Sequence, residues 1–454
     1  MNNESDAVIP DKRCGTRHIQ VALLFFAFCI SMSQRTNLTV SIVAMLDNST
    51  SSNPNVATYN WTNPSIVLGA LFYTYPVFQI PAGFLSKFYG GKHLLLWSFF
   101  ANTVACIMVP LVSSPWGSNG VIAMRVIQGL AQGSIFPTTQ TLLGRWAPVE
   151  ERSTFGGIIY SGISTGSVIA FVTSGYICSS TLGWPFTFYL WGAVGLLWCV
   201  LYFFLGFNCP AAHPRIRPGE RAFIEQSLHQ TETDLHPKLP LKSILTCTHF
   251  WAIVSANIGN AWIYTILMTE VSSYFAKVMK FNINSNGLVS AIPYTAAAIS
   301  GFIFAPIADC LIEKHLLSRV NTRRAMQCIG SYGMSICLIL VGYVAYTQLA
   351  AVTLLTTANI FYAATLLGYP LGPVDLSPKF CGIMYGISNT ISFGIAAFCP
   401  VLVHFVVKNK ENAKEWQMAF LITGVLFIIC ATLYAIFISA ERQPWDSVPE
   451  QANI

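Results

Sequence analysis

The sequence has few charged residues. Asp, Glu, Lys and Arg make up 10% of its 454 residues and hydrophobic residues 54%, whereas about 25% of an ordinary soluble domain is charged. A chain this long and this apolar cannot cover its surface with polar groups. The composition therefore excludes an ordinary soluble protein and predicts an integral membrane protein.

Several motifs are also missing. The 13 cysteines include no Cys-x-x-Cys pair, so neither a disulfide framework nor a metal site is predicted. No nucleophile–base pair or phosphate-binding glycine loop is found, so we expect no enzyme and no cofactor. The first 19 residues are polar and have no cleavable signal pattern, so we expect the first helix to act as an uncleaved signal-anchor.

Long apolar runs are present instead. Runs of about 20 residues, the length that crosses a bilayer as a helix, recur twelve times. They lie near residues 20–46, 64–86, 93–113, 119–142, 153–177, 184–207, 249–275, 286–308, 324–346, 349–371, 381–405 and 416–438. The predicted fold is all-α, with twelve transmembrane helices.

The basic residues alternate from loop to loop. Eighteen of the 25 Lys and Arg residues fall on the side of the N-terminus and five on the other. This bias follows the positive-inside rule, so both termini are predicted to be cytosolic. The net charge of +6 then reflects topology and not nucleic-acid binding. Two sequons, at Asn48 and Asn60, fall in an outer loop, 47–63, and predict glycosylation.

The segment 208–248 contains no predicted span and divides the chain into two halves of six helices. Cytosolic tails at 1–19 and 439–454 flank an N-terminal bundle, 20–207, and a C-terminal bundle, 249–438. Within the linker, Arg217–Leu228 predicts a short amphipathic helix on the cytosolic surface. It is interpreted as a solvated connector, with a binding segment as the alternative.

The two halves repeat. The stretch "GFLSKFYGGK", from Gly83, aligns with "APIADCLIEK", from Ala305, at an offset of 222 residues, and Pro148 aligns with Pro378 at an offset of 230. Repeated halves around a site at the membrane midplane are typical of secondary transporters. Such a repeat argues against a channel.

Arg35 is a charged residue deep in the first span. At ~1.5 Å per residue it lies roughly 15 to 20 Å from either end of that helix, too far to reach an interface easily. No acidic residue lies at a comparable depth in the first half. An unpaired guanidinium at a water-filled cavity is a good receptor for carboxylate or phosphate oxygens. The alternative is an arginine satisfied by backbone carbonyls.

Arg125, in "MRVIQGLAQGSIFP", is the second intramembrane arginine, and the two are predicted to form an anion clamp. An interfacial position is the alternative for Arg125. Glu270 is the one acidic residue placed inside a span, near its outer end, and is either a proton or ion-coupling site or a rim carboxylate facing water.

Polar residues on apolar spans supply further candidate cavity liners: Tyr75, Gln79, Tyr264 and Asn389. Charged residues at the cytosolic helix ends form a second set, interpreted either as a gate of ion pairs or as topological charge and helix capping. The predicted gate residues are Lys87, Lys92, Arg145, Glu151, Arg152, Asp309, Arg323 and Arg324.

Several motifs resemble a known family. "GFLSKFYGGK" and "RVIQGLAQG" are similar to signatures of the major facilitator superfamily. "QRTNLTVSIVAM", "RWAPVEERS", "FNINSNGLVSAIPY", "VDLSPKF" and "ERQPW" resemble solute carrier family 17, the anion:cation symporters, and in particular its insect inorganic phosphate cotransporters. The resemblance covers essentially the whole chain. It implies two six-helix bundles, alternating access, and anion binding by Arg35 and Arg125.

The chain departs from that family at coupling positions. Where sialin-like members have two glutamates in the fourth helix, this chain has Gln128 and Gln132. A second-helix histidine and a seventh-helix arginine of vesicular glutamate transporters correspond to Leu68 and Asn260. The glutamine pair resembles the phosphate and urate branch, which is driven by sodium or membrane potential.

The sequence thus predicts a monomeric secondary transporter of small anions, of the phosphate, urate, sialate or acidic amino acid class. Sodium, protons or membrane potential would drive it, and its location would be the plasma membrane or a vesicular or lysosomal membrane. Its partners would be the substrate and the lipid bilayer. The alternative is a receptor or sensor that keeps the transporter fold without flux.

Overall fold

The computed structural model describes residues 15–46, 53, 56–61, 64–228, 239–269, 274, 278, 286–344, 347–409 and 411–446. Within them the regular structure is helical. The helices are α1 Thr16–Leu46, α2 Pro64–Thr74, α3 Gln79–Phe88, α4 Gly91–Ser113, α5 Gly117–Gly133, α6 Ile135–Trp146, α7 Arg152–Ser179, α8 Trp184–Leu205, α9 Pro218–Leu228, α10 Leu241–Thr246, α11 Thr248–Thr269, α12 Asn286–Glu313, α13 Arg319–Val344, α14 Gln348–Thr365, α15 Gly372–Leu376, α16 Cys381–Ala396, α17 Cys399–Val406 and α18 Ala413–Phe437.

The predicted spans are confirmed as helices. In the described part of the chain, ten are long and apolar enough to cross a membrane, and α2 with α3, bent by 42°, makes an eleventh. The remaining predicted span, 119–142, corresponds to α5 and α6. It is less apolar because it carries Arg125 and several glutamines. The helix α14 starts directly after Thr347, whose side chain accepts a hydrogen bond from the Ala350 backbone N–H and caps the helix.

The helices form two bundles, α1–α8 and α11–α18, whose outer surfaces are apolar. Large side chains such as Phe26, Trp97, Phe204 and Phe405 are more than half exposed. A soluble protein rarely leaves so many large apolar groups in water, whereas a lipid bilayer solvates them.

The bundles meet through close backbone contacts near one end. At Gly83 of α3, an added Cβ would lie 2.8 Å from the carbonyl oxygen of Gly382 on α16, and at Gly157 of α7 it would lie 2.3 Å from the Ala305 Cβ on α12. Gly83 and Ala305 are the two repeat-related positions. The repeat therefore places equivalent small residues where each half packs against the other, and small residues allow helices to approach closely.

Replacing Gly83 by alanine is expected to force α3 and α16 apart. The new Cβ would also lie 2.9 Å from the Ile383 Cα, and backbone atoms cannot move aside by changing rotamer, so overpacking of about 1–3 kcal/mol is expected. Thermal unfolding of the purified protein would show the loss. Gly394→Ala on the same helix α16 is the matched control, because nothing lies within 4 Å of its added Cβ. Equal effects of the two substitutions would contradict the prediction.

The linker helix α9 packs against the first bundle. Phe223, Ile224 and Leu228 form a small apolar core with Trp146, and Glu220 is 1% exposed. The predicted amphipathic helix is therefore confirmed. Its opposite side, with Ala222 and Gln226, is exposed, so the helix is packed against protein on one side and open on the other. Whether the linker is only a connector or a binding segment stays a prediction.

Glu220 fixes α9 to the start of α1. Its two carboxylate oxygens accept hydrogen bonds from the backbone N–H groups of Thr16 and Arg17, each at 3.0 Å. The Arg17 guanidinium also pairs with Glu220 at 3.2 Å and with Glu151 at 2.7 Å. The first N–H groups of a helix have no intrahelical acceptor, so the linker supplies the cap of α1.

Candidate functional site

The two bundles enclose a central cavity, and Arg35 is the one charged side chain that lines it among the described residues. Arg35 is 6% exposed. Its guanidinium carbon lies 4.8 Å from the Tyr75 ring centre and 5.7 Å from that of Phe72, and its Nε donates to Gln132 Oε1 at 2.8 Å. Within the described part of the chain, no carboxylate pairs with it. The aromatic faces stabilise the cation without neutralising it.

Gln132 belongs to a buried amide network behind Arg35. Its Nε2 donates to Asn102 Oδ1 at 3.1 Å, Asn102 donates to Gln34, and Gln34 Nε2 donates to the Trp191 carbonyl at 3.0 Å. None of these amides can gain or lose a proton near neutral pH. The Gln132 side chain, which accepts the hydrogen bond from Arg35 Nε, is therefore permanently neutral.

Arg125 lies behind the cavity and does not line it. It is 2% exposed; its Nη2 donates to the Arg35 backbone carbonyl and its Nη1 to Gln128 Oε1, both at 3.1 Å. Arg125 thus lies beside Arg35, which is well inside α1, and this position does not favour the interfacial alternative. In this state Arg125 holds the backbone of α1 at Arg35. The two guanidinium groups of the predicted clamp do not line the same cavity.

Of the four other predicted liners, Tyr75, Tyr264 and Asn389 line the cavity. Gln79 does not. It accepts a hydrogen bond from Asn389 Nδ2, and its own Nε2 is buried without an acceptor among the described residues. Gln79 thus orients a liner from the other bundle.

The sequence prediction missed most of the polar lining. Asn257 donates to Ser388 at 3.1 Å and to Asn389 at 3.2 Å, and Asn260 accepts from Thr365 at 3.0 Å. The missed polar liners are Tyr160, Ser164, Ser167, Asn257, Asn260, Tyr294, Asn359, Tyr362, Tyr369 and Tyr385. Amides on apolar spans were a visible signal, but a tyrosine is common on any membrane helix.

Other predicted sites lie apart from the cavity or outside the described residues. Glu270 and Asn48 fall outside the described residues, so their proposed roles stay predictions. Asn60 is exposed, as a glycosylation acceptor must be.

Ion pairs between the bundles lie at the face where α1 begins and α18 ends. We call this the basic face and define it by Arg17, Arg152, Arg319, Arg323 and Arg442. The centre of the network is Asp375, at the end of α15. It accepts from Arg152 Nη1 of the first bundle and from Arg323 Nε of the second, both at 2.9 Å.

Further contacts join the bundles at this face. Arg323 Nη1 donates to Ser153 Oγ at 2.8 Å, and Asp309 accepts the backbone N–H groups of Ser153 and Thr154. Asp309 therefore caps α7 from α12 of the other bundle. Lys87 also reaches across, with its Nζ 5.1 Å from the Phe380 ring centre.

The remaining predicted gate residues do not join the bundles. Glu151 pairs with Arg17, and Lys92 lies over the Phe207 ring at 4.7 Å. Arg324 donates to Asn321 and to the Ile438 carbonyl. Arg145 makes no hydrogen bond or ion pair with the described residues. The other four predicted gate residues contact the opposite bundle, whereas these four stabilise single bundles or face solvent; their role as a gate stays a prediction.

The chain forms two repeated helical bundles with a polar cavity between them, and ion pairs close one face. This architecture defines a membrane transporter that works by alternating access. A sequence profile of the Major Facilitator Superfamily matches residues 24–398. The chain belongs to this superfamily and, within it, to solute carrier family 17, as its motifs predicted.

Two kinds of relative support this assignment. A Drosophila melanogaster protein named "Putative inorganic phosphate cotransporter" is 31% identical, covering 96% of this chain and 88% of the relative. The Bos taurus "Vesicular glutamate transporter 1" is 30% identical, with 96% and 79% covered. Among solved structures, the proton:xylose symporter XylE matches with a TM-score of 0.68 at 12% identity, covering 94% of this chain and 98% of XylE. FucP in the outward conformation matches with a TM-score of 0.65 at 13% identity, covering 92% of this chain and 99% of FucP. These two structures show the fold alone.

Proposed function

We propose that this protein transports a small anion and that Arg35 binds it. The observation that carries the proposal is an arginine in the central cavity with no carboxylate partner among the described residues. A guanidinium binds carboxylate or phosphate oxygens through paired N–H donors. The names of the relatives, an inorganic phosphate cotransporter and vesicular glutamate transporters, agree with an anionic substrate.

The size of the cavity favours inorganic phosphate over the larger candidates. Its volume is about 80 Å³, whereas common ligand sites have ~300–1,000 Å³. An inorganic anion fits this state without rearrangement. Urate or sialate would require the lining to move outward.

The proposed driving force is sodium or the membrane potential. Proton coupling needs a group that changes charge, and the positions next to Arg35 and Arg125 are occupied by the amides of Gln132 and Gln128. Glu270 remains the candidate for an additional ion site.

Uptake into proteoliposomes tests this proposal. Labelled phosphate, urate, sialate and glutamate are offered under imposed sodium, pH or voltage gradients. We expect phosphate uptake that follows the sodium or voltage gradient and not the pH gradient. The receptor alternative predicts ligand-induced stabilisation of the protein without counterflow, and the relatives reported above carry transporters' names.

Replacing Gln132 by glutamate is expected to make uptake depend on pH. The new carboxylate would lie against Arg35 Nε and compete with the anion, while a proton on it would free the guanidinium. Uptake at pH 7.5 should fall about tenfold or more, as expected for an added charge-assisted pair, and recover only at a pH low enough to protonate the new carboxylate, whose pKa the guanidinium lowers. Gln348→Glu, at an exposed position at the start of α14, is the control. A pH profile unchanged from that of the wild type would contradict the prediction.

The basic face is proposed to be cytosolic, with both termini on that side, as the distribution of Lys and Arg indicates. Glycan analysis of the expressed protein tests this, because Asn48 and Asn60 should then carry glycans. Loss of one glycan is expected in each of Asn48→Gln and Asn60→Gln. An unglycosylated protein with extracellularly accessible tails would reverse the orientation. The protein is proposed to act as a monomer in the plasma membrane or a vesicular membrane.

A further inference from the structure

A second cavity lies on the basic face, apart from the central one. Its volume is about 540 Å³, within the range of ordinary ligand sites. It contains no residue of the central cavity. Its lining residues are Val149, Glu150, Arg152, Phe223, Gln226, Ser227, Leu228, Arg319, Asp375, Pro378, Ala440 and Arg442.

Four separate parts of the chain build this cavity. The start of the α7 region contributes Arg152, the linker helix α9 contributes Ser227, the second bundle contributes Arg319 and Asp375, and the C-terminal segment contributes Arg442. The parts are tied together, because Ser227 bonds both the Val149 N–H and Glu150. Arg442 Nη1 donates to the Leu228 carbonyl at 3.4 Å.

The cavity has more positive than negative charge. Its lining includes three guanidinium groups, those of Arg152, Arg319 and Arg442, and two carboxylates, those of Glu150 and Asp375. Arg152 and Arg323, the second of which does not line the cavity, take the two carboxylate oxygens of Asp375. Arg319 makes no hydrogen bond or ion pair with the described residues, although it lines the cavity.

Buried N–H groups support the same conclusion. Arg152 is 2% exposed, yet its Nε and Nη2 have no acceptor among the described residues, and the same holds for Arg319 Nε and Arg323 Nη2. Buried donors of charged groups are normally satisfied. Two of these arginines, Arg152 and Arg319, line the cavity, so their open donors border a space in which an anion can bind.

We propose that this cavity binds a multiply charged phosphate-type anion from the side of the basic face. A bidentate arginine contact suits phosphate oxygens, and Arg319 and Arg152 can each supply one. The volume admits an anion too large for the central cavity. The same chemistry is presented by a soluble polyphosphate and by a phosphorylated lipid headgroup.

Binding there would favour the state closed at the basic face. The cavity exists only while α7, α9, α13 and the C-terminal segment are together, and moving the bundles apart separates Arg152 from Arg319. A ligand that binds one state better shifts the population toward it. The anion would therefore act as a regulator that slows opening at this face, without being transported.

Pyrophosphate binding to the purified protein in nanodiscs of neutral lipid tests the proposal. Thermal unfolding is followed against pyrophosphate concentration, with potassium chloride at matched ionic strength. Mass spectrometry in parallel follows maleimide labelling of Cys381, a buried thiol at this face that donates to the Gln140 and Pro378 carbonyls. We expect a raised unfolding temperature and slower labelling. A second set of nanodiscs contains a phosphoinositide instead, which separates the lipid source from the soluble one.

Four variants test whether the effect of pyrophosphate arises at this cavity. Arg319→Gln should weaken pyrophosphate binding about 10- to 100-fold, since a hydrogen bond to a charged group contributes ~1.5–3 kcal/mol, and Arg319→Lys should fall between it and wild type. Lys314→Gln removes the same charge from an exposed position on the same face and should bind normally. Arg35→Gln should also keep the effect.

The result that overturns the proposal is equally specific. If pyrophosphate still raised the unfolding temperature of Arg319→Gln but no longer that of Arg35→Gln, the anion would bind in the central cavity. Absence of any shift with both pyrophosphate and phosphoinositide would show that no such site exists. Neither result bears on whether the protein transports anions, which the uptake assay measures separately.

Discussion

Replacing Arg35 by glutamine is expected to reduce anion uptake by at least about 100-fold, because two charge-assisted hydrogen bonds of ~1.5–3 kcal/mol each are lost at the substrate. No other described residue in the cavity carries a positive charge. The loss should appear in kcat/KM for uptake into proteoliposomes. Arg35→Lys, which keeps the charge but not the planar pair of donors, should retain part of the activity.

The protein should stay folded in this variant. Arg35 makes one side-chain hydrogen bond, to Gln132, and a glutamine can replace it. Lys314→Gln is the charge-matched control. Wild-type uptake by Arg35→Gln at equal reconstitution would show that the anion binds elsewhere.

Arg125→Gln separates positioning from binding. Arg125 contacts the backbone carbonyl of Arg35 and not the cavity, so its loss should shift α1 and weaken uptake through Arg35. The double variant should then be little worse than Arg35→Gln alone, since residues that act through one another are not additive. An independent contribution in the double variant would favour the original two-arginine clamp.

Replacing Asp375 by asparagine is expected to open the basic face. The substitution removes the one carboxylate shared by Arg152 and Arg323 and leaves their charges to repel across the interface. Removing one partner of a buried ion pair costs about 3–5 kcal/mol. That free energy is enough to shift a two-state equilibrium by 100-fold or more.

Labelling of Cys381 measures the opening. Its thiol is 1% exposed and should react with maleimide much faster in Asp375→Asn, while uptake falls because the carrier seldom closes at this face. Glu441→Gln removes the same charge from an exposed position on the C-terminal segment and should leave labelling unchanged. If Cys381 stays protected in Asp375→Asn, other contacts hold the face closed.

The fold was largely predictable because its signals are local. A run of 20 apolar residues specifies a membrane helix regardless of what surrounds it, and even the turn at Thr347 followed from the count. Arg35 was predictable for a related reason, since a charge deep in an apolar run needs a special environment. The helix pair α5–α6 shows where hydropathy alone is a weaker signal. Its residues are less apolar than those of the other spans because they are buried between helices.

The arrangement of side chains around the helices was not predictable. Whether Arg125 points into the cavity or behind it depends on the rotation of α5, which neighbouring helices decide. Asp375 was seen in the sequence only as part of the family motif "VDLSPKF", although it is the centre of the ion-pair network, because its partners Arg152 and Arg323 lie 223 and 52 residues away. Such distant pairs become visible only when the bundles are assembled.

The cap that Glu220 provides for α1 has a consequence for biosynthesis. Glu220 is 203 residues downstream of Arg17, so at ~5–20 residues per second the ribosome reaches it roughly 10–40 s after α1 has been made. Until then the first turn of α1 and the Arg17 guanidinium lack this acceptor. Completion of the linker therefore marks the moment when the first bundle can be finished, before any helix of the second bundle has been translated.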